Sequence, residues 1–463
     1  MNYDLLIAGA DAILPGIGRT RCDIAVAGGK IAAILAPGGA VAATETLKAE
    51  GKLVIPGVID GHLHLGHGKD ISRPQVPEDA DRETASAAMG GVTCMIPYLM
   101  ATVPYSEIFD EVVSITEAGA RIDFGYHPIV STEDQLAEVP RYIGEYGAPT
   151  LKIFMNNRGS EGERLGLPDI DDGFLYRLAE HAAEHGGMIN PHPENIEVAW
   201  TFRKRAMEDD PNGVGGLTTW DATRPGFVEG DAVQRAAYLV NQAGAPLYIV
   251  HTSSTEALEA ALARRLAGDV VYLETCPHYL THDVTWEGGA LCKINPPLRH
   301  PADRERLWEA IMDGDIDTVA TDHVHRDISS KDGGIWKASP GCPGMETLLP
   351  VMLTEGHHKR KIALERIVEV LCETPARLMG LADRKGRIAV DFDADLAIVD
   401  LDDEYTFTRD DVVSSAGYSI YEGWTFKGRV TDTFVRGLGV VRDGALADDA
   451  VGTGKYQHRK LEH

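Results

Sequence analysis

The sequence has no stretch approaching the about 18 uninterrupted apolar residues of a bilayer-spanning helix, so it offers no membrane span. Cations are scarce: 44 Lys and Arg stand against 71 Asp and Glu, a formal charge of −27. Phosphate recognition needs clustered Lys and Arg, so this balance argues against nucleic acid as a partner. The acidic exterior reads as solvated surface. Thiols are few. Cys22, Cys94, Cys276, Cys292, Cys342 and Cys372 are scattered with no CxxC spacing. That fits reduced thiols in a cytoplasmic protein better than a disulfide framework or a structural zinc site. Met1-Asn2-Tyr3-Asp4 lacks the basic region and apolar run of a signal peptide. Core-forming residues are not lacking: 44% hydrophobic and 25% charged content excludes global disorder. Seventeen histidines are the informative surplus.

The first 55 residues read as short strands, Tyr3–Ala8, Asp23–Ala27, Lys30–Leu35 and Lys52–Ile55, with Gly28-Gly29 as a hairpin signal. Eight β-branched runs follow: Val58–His64, Val92–Tyr98, Ile122–His127, Leu151–Met155, Met188–His192, Leu247–His251, Val270–Cys276 and Thr318–Asp322. Helical patterns lie between them at Glu133–Tyr146, Asp171–His185, Asp231–Ala243, Ser254–Leu266 and Asp303–Met312, several opening on an Asp, Ser or Thr suited to an N-cap. Eight strand–helix units in about 320 residues are the arithmetic of a (β/α)8 barrel, with a doubly wound sheet as the alternative on periodicity alone. After Pro375 the strands return at Gly386–Val390, Ala394–Asp400, Val430–Arg436 and Leu438–Arg442. The expected fold is therefore α/β: a TIM-like barrel over 57–375, with a small β-sandwich domain built from 1–56 and 376–445. Residues 446–463 read as a tail, its Leu461-Glu462-His463 as a tag remnant. There is no internal repeat.

His62 and His64 end the first barrel run, and residues two apart on a strand point the same way. Lys152 closes the fourth run, His192 the fifth, His251 the sixth and Asp322 the eighth. Barrel sites form at the C-terminal ends of strands. Six ligand-type side chains there, without thiolate, suit zinc, cobalt, manganese or iron. Lysine is the odd member, because an ammonium repels metal. Buried near two cations it would lose its proton, and its amine could take up carbon dioxide as an anionic carbamate bridge.

Val54-Ile55-Pro56-Gly57-Val58-Ile59-Asp60-Gly61-His62-Leu63-His64 resembles the opening motif of the amidohydrolase superfamily. The resemblance continues through Leu151–Met155, Ala245–His251, Glu274–Leu280, Asn295–Arg299, Thr321–His323, Tyr421–Trp424 and Phe434–Gly437. It covers nearly the whole chain and points to the cyclic amidohydrolases, hydantoinases and dihydropyrimidinases first and allantoinases next. It implies two divalent metal ions, zinc first with cobalt or manganese as alternatives, bridged by carboxylated Lys152. His62, His64 and Asp322 would hold one ion, and His192 and His251 the other. Hydroxide generated from water would attack a polarised amide carbonyl. Asp322 would take its proton and deliver it to the leaving nitrogen. The resemblance also implies a homotetramer or homodimer acting on a small molecule.

Substrate contacts depart from that family. Asn157 stands where hydantoinases carry an oxyanion-binding tyrosine, and Asn295 replaces the serine of their Ser-Pro-Pro motif. Pro340 replaces a ring-binding asparagine, Pro193 follows His192, and Gly66 occupies a position where dihydroorotases have arginine. Asn157, Asn295 and Pro340 are the substrate-contact candidates; His278 and His323 are expected to orient the ligands. His67 and His127 are expected in core or orienting roles, and Arg158, His282, His325, Arg326 and Lys337 are further contact candidates. His181–His185 matches an HxxEH pattern on a helix facing away from the site and is expected to be a surface pair. The expected activity is metal-dependent hydrolysis of a C–N bond in a cyclic amide, imide or ureide. The rivals are an open-chain amide, carbamate or thiocarbamate on the same centre, and a non-catalytic assembly protein like the collapsin response mediators.

Overall fold

Short Val-, Ile- and Leu-rich runs buried along most of their length form the parallel strands here. The computed structural model describes residues 3–39 and 41–462. Met1 and Asn2, where the signal-peptide reading begins, and His463, the end of the expected tag remnant, lie outside the described residues. Val58–His64 pairs in parallel with Val92–Leu99, which pairs with both Asp123–Phe124 and His127–Pro128. Ile129 then bridges Lys152, in the strand Thr150–Phe154. From there pairing runs through Met188–His192, Leu247–Ile249 and Val271–Thr275 to Thr318–Val319. His323 and Val324 return to Leu63 and His64. Parallel strands alternating with helices thus agree with the class expected.

Local chemistry explains the helices. In Asp172–His185, Phe174, Leu175, Leu178, Ala179 and Ala182 make one buried stripe. Asp171 caps it by accepting from the Phe174 amide at 2.8 Å. The expected helix Glu133–Tyr146 is broken, with Glu133–Ala137 followed by Val139–Gly144, because Pro140 starts a new helix and cannot continue an old one.

The two ends of the chain share one sheet. Leu396–Thr406 pairs antiparallel with Leu53–Pro56, which lies beside Tyr3–Leu14, so the C-terminal strands Thr425–Val435 and Leu438–Arg442 continue the N-terminal ones. Leu53–Pro56 feeds Val58–His64 through Gly57, where a Cβ would fall 2.0 Å from the Thr93 hydroxyl. Lys385 ties the layers together, its ammonium reaching Asp123 at 2.7 Å and Asp393 at 3.1 Å and also pairing with Asp395.

Two expectations are corrected. Gly386–Val390 forms no strand, although Ile388 is buried. The tail is part of the fold: the Phe124 amide donates to the Lys455 carbonyl and the Gln457 amide to the Phe124 carbonyl. Arg459 is 1% exposed, donating to the carbonyls of Tyr126 and Met379, and Leu461 is buried. All six cysteines are free and buried, and among the described residues no helix is long and apolar enough to cross a membrane.

Candidate metal centre

Strand pleating sets His62 and His64 on one side of the first parallel strand, and the eighth run brings Asp322 to them. Asp322 Oδ1 lies 3.1 Å from His62 Nε2 and 3.6 Å from His64 Nε2. Asp60, one pleat below His62, accepts from the amides of His62 and Thr321 and from the Thr321 hydroxyl, and so locks the two strands in register. The Asp322 amide donates to the His62 carbonyl at 2.8 Å. Across the cavity His192 Nδ1 and His251 Nε2 face each other at 2.9 Å. The rings of His62 and His251 are 5.3 Å apart. Lys152 completes the wall at 1% exposure, its ammonium 4.4 Å from the Tyr98 ring centre. Among the described residues that nitrogen has no hydrogen bond or ion pair. The cavity is lined by all six of these side chains.

Backbone strain is concentrated at two of them. His251 and Asp322 have φ of 43° and 46°, left-handed values that non-glycine residues rarely adopt. Such positions cost about 1–3 kcal/mol each and persist where surrounding bonds hold them. Here the Asp322 amide is fixed by the His62 carbonyl and the His251 amide by Glu274 Oε1 at 2.9 Å.

The donor set fits a divalent cation. His64 Nδ1 and His251 Nδ1 are buried without a hydrogen-bond partner, and orphan lone pairs in a dry site are costly. Burial pushes His64 down to about 3 and lowers His192 and His251, so these rings are neutral, as ligands must be. Burial also opposes charge on His62, but Glu274 and Asp322 outweigh it and raise the ring to about 9. Burial would raise the Asp322 carboxyl; His62 beside it holds it well below the usual carboxylate range. Burial lowers Lys152 to about 8, which brings the free amine within reach near neutral pH.

The other expected residues divide. Asn295 and Pro340 line the cavity. Asn157 does not: its amide nitrogen donates to the Pro168 carbonyl at 2.6 Å, bracing the following loop, and the adjacent Asn156 lines the cavity instead. The strand ends at Phe154, so strand alternation no longer sets which of Asn156 and Asn157 faces the cavity. His323 likewise points away from Asp322, with Nε2 3.0 Å from Glu83 and Nδ1 accepting from the Gly344 amide. It orients the strand end rather than the carboxylate. His278 is buried, with Nε2 unpartnered. His127 sits in the core between Thr150 and the Gly61 carbonyl, stacked on Tyr98. His67 is exposed beside Asp79. Arg158 pairs with Glu197, and His282 packs among Trp286, Tyr421 and Trp424. Gly66 has no room for a side chain, because a Cβ would meet the Asp70 carbonyl oxygen at 2.0 Å.

Sequence reasoning missed Glu274. It is 0% exposed, bonds His62 Nδ1 at 2.5 Å and accepts from the Tyr248 hydroxyl and the His251 amide. A carboxylate behind a ligand histidine fixes its tautomer and leaves Nε2 for the metal. A lone Glu inside the apolar run Val271–Thr275 was the available signal, since unpaired Glu is almost never buried. Glu194, paired with His192 and Arg224, was missed in the same way.

An Amidohydrolase family profile matches residues 242–440. An L-hydantoinase of Paenarthrobacter aurescens is 34% identical over 453 residues, covering 96% of this chain and 95% of its own. An allantoinase of Deinococcus radiodurans is 35% identical over 456 residues, 96% of each chain. The chain belongs to the amidohydrolase family. Its fold agrees with solved members: a dihydropyrimidinase of Brevibacillus agri NCHU1002 superposes with a TM-score of 0.89 at 28% identity over 99% of both chains. An L-hydantoinase (dihydropyrimidinase) of Arthrobacter aurescens gives 0.89 at 31% identity over 98% of this chain and 99% of its own. This family is metal-dependent, in keeping with the donor set described.

Proposed function

We propose that this amidohydrolase cleaves a C–N bond in a cyclic amide, imide or ureide, with two divalent ions held by His62, His64, Lys152, His192, His251 and Asp322. The observation that carries the reading is the convergence of three neutral imidazoles, the carboxylate-flanked ring of His62, the Asp322 carboxylate and a buried lysine with no ion pair among the described residues on a single cavity. The closed run of parallel pairings supports a (β/α)8 TIM-like barrel over 57–375. The shared antiparallel sheet supports a β-sandwich domain from 1–56 and 376–445. Zinc is the proposed metal, with cobalt or manganese as alternatives.

Bound divalent ions supply a lowered water pKa and a polarised carbonyl. The rest is the work of the chain. Lys152 has no ion pair among the described residues and lies near the pH range where its amine is free, so it adds carbon dioxide with release of one proton and becomes an anionic carbamate. Asp322 stands at the cavity edge as a carboxylate, accepts a proton from the attacking water and returns it to the departing nitrogen. Glu274 holds His62, and Asn295 and Pro340 meet the substrate. The same reading makes the protein a cytoplasmic homotetramer or homodimer acting on a small molecule.

One observation favours a second substrate class, open-chain amides or carbamates: Asn157 is turned away, and Asn295 and Pro340 replace ring-contact residues. A panel of hydantoin, dihydrouracil, allantoin, cyclic imides and simple carbamates, assayed with zinc, cobalt or manganese, separates the two. Turnover of a ring compound with metal bound supports the first; turnover of carbamates alone supports the second. A purified chain with no bound metal and no metal-stimulated hydrolysis overturns both. K152A should lose metal and activity, and wild-type activity in that variant would refute the bridge.

A further inference from the structure

The cavity against the metal ligands is small, about 70 Å³, and opens onto a larger one of about 510 Å³ with which it shares Arg164, Asn295, Arg326 and Pro340. Ligand pockets occupy roughly 300–1,000 Å³, so most of any substrate beyond its reacting group must sit in the larger space. Its wall is strongly cationic in a chain of net charge −27. Lys69, Arg164, Arg203, Lys293, Arg326 and Lys337 line it, against the carboxylates of Glu161 and Asp332. Glu161 is already engaged by Arg164, Arg203 and Arg224. Lys293 is 3% exposed and lies 4.0 Å over the Trp220 ring, and its ammonium has no hydrogen bond or ion pair among the described residues. Arg326 donates from Nε and Nη1 to the carbonyls of Lys69 and Pro340 and pairs with no carboxylate among the described residues. Buried charges are normally paired, so a buried unpaired ammonium facing a cavity marks a missing anion.

We propose that this larger cavity is a subsite for a carboxylate-bearing side group of the substrate, with Lys293 and Arg203 receiving the anion and Arg164 and Arg326 guarding the passage from the metal centre. The inference rests on the proposed hydrolysis of a cyclic amide or ureide, and names the kind of ring compound: one with an anionic arm. Burial, then Arg203 and the other neighbouring cations, hold the Lys293 ammonium down to about 7, a repulsion that a bound carboxylate relieves. Trp220 and Trp336 supply apolar wall for the methylene stem of such an arm.

The test compares hydantoin-5-propionic acid with its neutral isostere hydantoin-5-propionamide on the metal-loaded enzyme. The acid should be favoured about tenfold or more in kcat/KM, chiefly through KM, because charge-assisted hydrogen bonds outweigh neutral ones. The preference should shrink as salt is raised. K293M, which keeps the packing on Trp220, should bring the acid-to-amide ratio towards one, and R203Q should lower it in a second background. Equal turnover of acid and amide, or a ratio unchanged in both variants, overturns the subsite. If no ring compound is hydrolysed, the proposed function falls, and calorimetric binding of the acid and the amide to the same protein decides the subsite alone. Tighter binding of the acid that K293M abolishes upholds it; equal binding refutes it.

Discussion

Replacing Glu274 by Gln should weaken metal binding while the fold survives. The side chain keeps its shape, but the charge behind His62 disappears. Glu274 bonds His62 Nδ1 at 2.5 Å and takes donors from Tyr248 at 2.7 Å and the His251 amide at 2.9 Å, so one carboxylate orients ligands on two strands. Tyr248 has a second partner in the Thr318 hydroxyl at 2.6 Å, which cushions the change. Loss of such an outer carboxylate typically costs about 10–100-fold in metal affinity, or about 1.4–2.8 kcal/mol. The assay is zinc titration against a chelator of known affinity, with thermal unfolding of the metal-free protein as the control. A dissociation constant equal to wild type, in a variant with an unchanged Tm, would refute the assignment of Glu274 as the residue that positions His62.

Three further outcomes follow from buried contacts. K385M leaves Asp395 buried without its cation, while Asp123 keeps Arg436, and should destabilise the protein by about 3–5 kcal/mol in chemical unfolding; an unchanged midpoint would show that the ammonium does not join the layers. In the Glu83–His323 pair, burial opposes ionisation of Glu83 but the histidine holds it down to about 2, while Glu83 raises His323. The pair's stabilisation is then complete between the unfolded values of Glu and His, about pH 4.5 to 6.5. It fades below as Glu83 gains its proton and above as His323 loses its own. The stability gap between wild type and E83Q should therefore peak in that window, and a pH-independent gap would count against the ion pair. R459A strips donors from the carbonyls of Tyr126 and Met379 and should cost about 1–3 kcal/mol, whereas a dispensable tail would leave Tm unmoved.

How far the site could be read from the chain depended on periodicity. His62 and His64 share a face because strand side chains alternate, and a residue ending each parallel run faces the same end of the sheet. That logic needs no coordinates. The expectation at Asn157 came from the family resemblance instead, and it failed because the strand has already ended at Phe154 and the side chain turns to Pro168. Periodicity failed for Glu274 and Glu194, whose roles depend on partners from distant strands. The tail was left outside the expected domains, its Leu461-Glu462-His463 reading as a tag remnant, and only the Tyr126 and Met379 carbonyls show why Arg459 is inside.

By itself, the sequence determined the alternation of strands and helices, the six ligand-type side chains and the lack of any apolar run long enough for a spanning helix, because each is written in local pattern or composition. Tertiary structure alone decided that Arg459 of the tail is buried, that His251 and Asp322 adopt left-handed backbone, and that scattered lysines and arginines line one cavity in an acidic protein. These are contacts between residues far apart in the chain. Their energy depends on burial and on which partner arrives, and neither has a local signature.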